Sequence, residues 1–106
     1  MPKFLLQSTY TTDGMRWLVN DGGSKRAEVV RHTIEASRGR MESMHFSFAS
    51  HDTYVVCDLP DYKSAAALAI AIRVAGGVET RITPLLTPEE VDDATRVKAA
   101  YEPPSP

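Results

Sequence analysis

The chain contains apolar residues at two different spacings, and each spacing predicts a different element. Residues 41–48 alternate between apolar and polar, as a strand with one buried face does. The side chains predicted to face the core are Met44, Phe46 and Phe48, and those predicted to face the other way are Ser43, His45 and Ser47. In residues 24–38 apolar residues return every three or four positions, which predicts a helix with one stripe packed on a sheet.

Turns and prolines separate the remaining predicted elements. Three more strands are predicted over residues 4–10, 53–59 and 78–83. Three more helices are predicted: a single turn at 15–18, a long helix over about 61–75, and a final helix from 88 to 101 with a narrow apolar stripe for docking. This order predicts an α+β fold with a ferredoxin-like βαββαβ antiparallel sheet, both long helices on one face and an added C-terminal helix.

Residues that favour helix ends set the predicted boundaries. Ser24 and Asp61 are predicted N-caps because a side-chain oxygen can accept a hydrogen bond from a free backbone N–H. Residues 87–90, Thr-Pro-Glu-Glu, form a stronger signal, since proline suits the first helical position and the last glutamate completes a capping box. Gly39 is predicted to end the first long helix in the left-handed conformation.

The predicted helix at 61–75 has almost no polar face. Between residues 65 and 75 the only charged side chain is that of Arg73. A helix that is apolar all round must be covered on more than one side, and a chain of 106 residues offers little to cover it. We therefore expect a homo-oligomer, either a dimer or a larger assembly, at micromolar concentration.

Composition and charge narrow the class of protein. An apolar share of 42% suits one domain over residues 1–101, with a flexible tail at 102–106. The net charge is −2 with basic residues interspersed among acids, so no nucleic-acid partner is expected. The longest apolar run, 65–72, is far shorter than the ~20 residues that span a membrane. With one cysteine and no apolar leader, the cytoplasm is the expected location.

Five short segments are distinctive because no common fold requires them. They are residues 2–7 (PKFLLQ), 22–24 (GGS), 46–48 (FSF), 58–61 (DLPD) and 83–90 (TPLLTPEE). Together they resemble the GYD domain family over roughly residues 2–95. The resemblance implies a ferredoxin-like fold that forms dimers related in shape to dimeric α/β barrels. It implies no established activity.

The GYD family takes its name from a Gly-Tyr-Asp signature in the hairpin after the second strand. Here residues 49–52 read Ala-Ser-His-Asp, so Asp52 is kept and His51 stands where the family has tyrosine. His51 and Asp52 could form an acid–base pair. The alternative is a turn in which Asp52 bonds the following backbone. We favour the turn because sequence neighbours in a hairpin often point apart.

His45 is the residue best placed to carry chemistry. On the sheet face away from the helices it could line a ligand pocket or a subunit interface. The candidate residues for that site are His45, Ser43, Ser47, Gln7, Tyr54 and Arg81. The alternative, which we favour, is that His45 only satisfies another polar group in an interface.

The functional expectation follows from what the motifs allow. No His, Cys or Asp spacing suits a metal, so neither a metal nor a cofactor is expected, and Cys57 is expected to be an inert core thiol. We expect a non-catalytic oligomeric domain that binds a small ligand or serves assembly. The alternative is a cofactor-free enzyme of the dimeric α/β barrel type acting on a small organic substrate. In it, His45 would be the acid–base group and Arg81 or Gln7 would orient an anion.

Overall fold

The computed structural model describes residues 1–105, and within them one antiparallel sheet of four strands carries four helices. The strands are β1 (Lys3–Tyr10), β2 (Arg40–Phe46), β3 (Thr53–Asp58) and β4 (Val78–Leu85). The helices are α1 (Thr12–Asp21), α2 (Gly23–Ala36), α3 (Tyr62–Ala75) and α4 (Pro88–Arg96). The strand order β2-β3-β1-β4 confirms the α+β class and is consistent with the predicted ferredoxin-like topology.

One face of the sheet carries the core, and both long helices pack on it. Alternation along β1 buries Phe4 and Leu6, which lie opposite Cys57 and Val55 of β3. The other members of the buried cluster come from α2, α3 and the loop after β3: Ile34, Ala65, Leu68 and Leu59. The predicted stripe of α2 is confirmed, since Ile34 is buried and Val30 packs against the core.

Strand β2 is shorter than predicted and contains a bulge. The register passes from Met41 opposite Cys57 to Ser43 opposite Val56, so Glu42 is an extra residue. Met44 packs against the core, as the alternation predicts. The prediction for Phe48 is wrong: β2 ends at Phe46, and the Phe48 ring is 101% exposed in the following loop.

Helix α1 has ten residues, so the single turn predicted here is wrong. The hydroxyl of Thr11 accepts a hydrogen bond from the Gly14 N–H at 3.2 Å and caps the helix, where the sequence suggests a turn. Gly14 is required by contact and not by turn geometry, because a Cβ there would overlap the carbonyl oxygen of Gly77. The Thr11 N–H donates to the same carbonyl oxygen at 2.9 Å, so α1 is fastened to the turn before β4.

Two predicted helix ends are also corrected. Gly22, with φ of 86°, occupies the N-cap of α2, and Ser24 lies inside the helix and does not cap it. Arg38 takes the left-handed conformation that we expected of Gly39, with φ of 61°. Gly39 is required instead because a Cβ there would overlap the carbonyl oxygen of Asp58. The predicted cap of α3 by Asp61 is confirmed, with the Ser64 N–H donating to its carboxylate at 2.8 Å.

The C-terminal part of the chain extends away from the core. Strand β4 runs through Pro84 to Leu85, which is tolerated because β4 is an edge strand and pairs with β1 alone. The capping box of α4 is confirmed, but the helix ends at Arg96 and not near residue 101. Every residue from 86 to 105 is exposed. Of the predicted tail, Pro106 lies outside the described residues. Among the described ones, no helix is long and apolar enough to cross a membrane.

The contact between Gly14 and Gly77 predicts that two Gly→Ala substitutions differ in their effect on stability. Gly14→Ala should lower the free energy of unfolding by about 1–3 kcal/mol, because the added methyl meets backbone that must move. Gly23→Ala is the matched control, since its Cβ would lie 3.4 Å from the Phe46 ring, an ordinary contact. Denaturant unfolding should show a clearly lower free energy of unfolding for Gly14→Ala, and an unchanged or slightly higher one for Gly23→Ala. Equal effects would contradict the proposed contact.

Candidate functional site

The face of the sheet opposite the helices, here called the open face, carries a row of four polar side chains. His45 of β2 lies opposite Tyr54 of β3, Tyr54 lies opposite Gln7 of β1, and Gln7 lies opposite Arg81 of β4. Directly opposed residues in an antiparallel sheet have Cβ atoms ~4.5–5.5 Å apart, so neighbours in this row can share one small ligand. The structure thus brings four of the six predicted site residues together.

A second row, here called the apolar row after the two residues at its centre, runs beside the polar one. Leu5 of β1 lies between Val56 of β3 and Thr83 of β4, and Val56 lies opposite Ser43 of β2. All four side chains are partly buried even in a single chain. Ser43, two residues before His45 on β2, lies next to the polar row. Ser47 follows the end of β2, and its hydroxyl accepts a hydrogen bond from the Ala49 N–H at 3.3 Å.

A charged cluster lies at the end of the open face away from the polar row. Lys3 donates to Glu42 at 2.9 Å and to Asp58 at 3.0 Å, and Arg40 lies 3.5 Å from Asp58. The bulge in β2 adds Glu42 to this end, which the simple alternation does not predict. The hydrogen bonds to Glu42 and Asp58 raise the pKa of the Lys3 ammonium above its ordinary value. The open face therefore changes from charged to apolar to polar along β1.

The hairpin loop contributes a second imidazole to the polar end. His51 Nδ1 lies 3.3 Å from the Thr9 hydroxyl, and the His51 ring meets the Tyr54 ring edge to face at 5.9 Å between centroids. His45 and His51 are therefore both neighbours of Tyr54. The contact between His51 and Thr9 joins residues 42 positions apart in the chain, so spacing alone could not reveal it.

Asp52 has a structural role in joining the hairpin to β1. Its carboxylate accepts a hydrogen bond from the Tyr10 N–H at 2.8 Å, and its own N–H donates to the Ser8 carbonyl at 2.8 Å. The two contacts continue the pairing of β1 beyond the end of β3. No hydrogen bond joins His51 to Asp52 within residues 1–105, so the acid–base pair is not formed. The expected turn, in which Asp52 bonds the following backbone, is wrong as well, because the carboxylate bonds the backbone of β1.

A cleft of about 580 Å³ lies at the Arg81 end of the polar row, around the edge of β4. Its charged lining consists of Arg81 and Glu79 of β4 and Arg73 of α3, and its other polar lining includes Gln7, Thr9 and His51. His45 and Tyr54 are not part of the lining. Within the described residues Arg81 has no salt-bridge partner, which leaves its guanidinium available to an anion.

Cys57 lies on the other face and takes no part in this site. Its side chain is fully buried, and burial raises the pKa of the thiol to about 11 from 9.0, with the Asp58 charge adding to the effect. The structure thus supports an unreactive core thiol, since the thiolate is the nucleophilic form.

The raised pKa of Cys57 predicts its reactivity and a pH dependence of stability. Iodoacetamide at pH 8.5 should label the native chain far more slowly than the chain unfolded in denaturant. Because the folded state holds the proton more tightly, stability should be complete below pH 9 and should fall as the pH rises towards 11. Labelling of the native protein at the unfolded rate would contradict this assignment.

The structural role of Asp52 predicts a clear contrast with its neighbour. Asp52→Ala should lower the free energy of unfolding by about 1–3 kcal/mol, because the Tyr10 N–H loses its acceptor. Asp52→Asn keeps an oxygen there and should recover part of the loss. His51→Ala is the control, and thermal unfolding should show a smaller change for it, since its contact with Thr9 is exposed. A Tm of Asp52→Ala equal to the native value would disprove the role.

One comparison with known proteins finds a family match. The family model described as the GYD domain matches residues 4–95, which is most of the chain and extends from the second residue of β1 to the last residue but one of α4. Neither a curated protein nor a solved structure gives a match. The predicted resemblance is confirmed, and the chain belongs to the GYD domain family.

Proposed function

We propose that the protein acts in the cytoplasm as a homo-oligomeric, non-catalytic domain that binds a small organic ligand where the open faces of two copies meet. The observation that carries the proposal is the polar row beside an apolar row on the face opposite the helix-packed core. A homo-oligomer of this kind would resemble a dimeric α/β barrel in shape.

The apolar row supports assembly through the open face. A sheet face that meets only water is usually polar along its length, because alternation places apolar residues on the core side. Here Leu5 and Val56 lie next to each other at the centre of the face. A second copy placed on the sheet would remove both side chains from water, at roughly 25 cal/mol per Å² of apolar surface buried.

The polar row supports a ligand with a carboxylate group. The planar guanidinium of Arg81 matches the two oxygens of a carboxylate. Gln7, directly opposite Arg81, can donate from its amide, and Tyr54 adds a hydroxyl and a ring face. The cleft of about 580 Å³ beside Arg81 lies in the size range of small-molecule sites.

A second candidate function is a cofactor-free enzyme acting on a small organic substrate. The observation that favours it is the position of His45 and His51 on two sides of Tyr54. Two imidazoles and a phenol could move a proton to or from a bound molecule. Incubating the protein with a compound that it binds distinguishes the two functions. An enzyme changes the compound chemically, whereas a binding protein releases it unaltered.

The assembly is tested with a charge placed at the centre of the open face. Leu5→Arg should weaken self-association at least tenfold, because it places an unpaired charge in the interface. Val29→Arg adds the same charge on the exposed surface of α2 and is the control. Sedimentation equilibrium gives the association constants, with circular dichroism confirming that both variants fold. A native protein that sediments as a single 11.7 kDa chain at micromolar concentration would disprove the assembly.

The ligand site is tested by native mass spectrometry of protein purified gently from its own cells. The assembly should carry additional mass from a small organic acid, and Arg81→Gln should lose most of it. Arg31→Gln is the matched control, since Arg31 pairs with Glu28 on α2 away from the sheet face. Equal retention by the two variants would exclude Arg81 from the site. An assembly that never carries additional mass would favour a purely structural role.

A further inference from the structure

Helix α4 has a complete capping box at its start but no buried residue. The Thr87 hydroxyl accepts from the Glu90 N–H at 3.0 Å, and the Glu90 carboxylate accepts from the Thr87 N–H at 2.9 Å. Despite this capping box, every residue of the helix is exposed. A helix of nine residues is marginal in water on its own, because most helical stability comes from packing. The helix therefore requires a partner surface.

The side of α4 available for packing is apolar with an acidic border. Helical spacing places Pro88, Val91 and Ala94 on one side, with Glu90 and Asp92 along its two edges. In total the helix carries four acidic residues and one arginine. A complementary surface must be apolar at its centre and basic around it.

The outer face of α3 has these properties. Only Ala65 and Leu68 of this helix are buried, whereas Ile70 is 64% exposed and Val74 is 81% exposed. Spacing by three and four positions places Lys63, Ala66 and Arg73 on the same outer face as Ile70 and Val74. The helix contains no acidic residue between Tyr62 and Ala75. Its outer face is thus apolar with a positive charge near each end.

We propose that α4 of one copy packs on the outer face of α3 of a second copy. The apolar sides of the two helices meet, and the acidic edges of α4 lie near Lys63 and Arg73. The lengths agree, because nine residues of helix span ~14 Å and Lys63 and Arg73 are ~15 Å apart along the axis. This contact lies on the helix side of the sheet and is therefore an interface separate from the open-face one. About a twofold axis each copy would both give and receive an α4, so the contact would form twice.

The connection to β4 favours a second copy over the same chain. Only residues 86 and 87 separate β4 from α4, and two residues reach at most ~7 Å. The outer side of α3 is more than a helix diameter, ~10 Å, from the sheet. The chain is also extended, with a radius of gyration of 16.8 Å against about 13 Å for a compact domain of this length. An α4 that projects from its own core is available to another copy.

A pair of introduced cysteines tests the contact in the full chain. The double variant Ala66→Cys/Val91→Cys should form a disulfide between chains on mild oxidation, seen as a crosslinked dimer on a non-reducing gel. The native Cys57 thiol is buried and should not form a crosslink. Each single variant should stay uncrosslinked, as should the control Val29→Cys/Val91→Cys, which places one thiol on α2. A disulfide within one chain, or no disulfide at all, would overturn the proposal.

A charge exchange tests the same contact without a new bond. Arg73→Glu and Asp92→Lys should each weaken self-association about twofold to fivefold, as expected for an exposed ion pair. The double variant should recover most of the native affinity, because the two charges have exchanged places. Asp93→Lys is the matched control, since Asp93 points away from the apolar side of α4. If the affinity of the double variant falls by the product of the two single-variant factors, the two charges do not interact and the pairing is overturned.

Discussion

Strand β1 pairs with β3 along one side and with β4 along the other, so its register fixes the position of nearly everything else in the sheet. Its inward residues, such as Phe4 and Leu6, build the core with α2 and α3. Its outward residues, Leu5 and Gln7, lie at the centre of the apolar and the polar rows. A slip of one residue would exchange the two sets and remove the core and the open-face site together. Folding and the candidate site therefore depend on the same alternation.

Much of this arrangement was predictable because it depends on local patterns. The alternation in β2 places Met44 towards the core and His45 on the open face, as the structure has them. The helix caps at Asp61 and Thr87 were also predictable from the sequence, because capping needs only residues close in sequence. The assignment of Phe48 failed because alternation does not say where a strand ends.

The remaining features depend on contacts between distant parts of the chain. Gly14 lies in a Thr-Thr-Asp-Gly segment that is typical of a turn, whereas the structure requires it where α1 approaches the Gly77 carbonyl. Glu42 reaches the charged end of the open face only because of a bulge that no periodicity shows. The place of His51 beside Tyr54 depends on how the hairpin folds back over β1. Such contacts are decided by tertiary packing, which can override local preference.

Two neighbouring residues of the hairpin have different roles. Asp52 holds the loop to the backbone of β1, while the adjacent His51 presents its ring to the open face. Position 51 can therefore change its chemistry, from phenol to imidazole for example, while the loop keeps its shape. A substitution at position 51 changes the ring beside Tyr54 and leaves both contacts of Asp52 with β1 in place. The part of the loop that faces the open sheet is thus separate from the part that holds the loop in position.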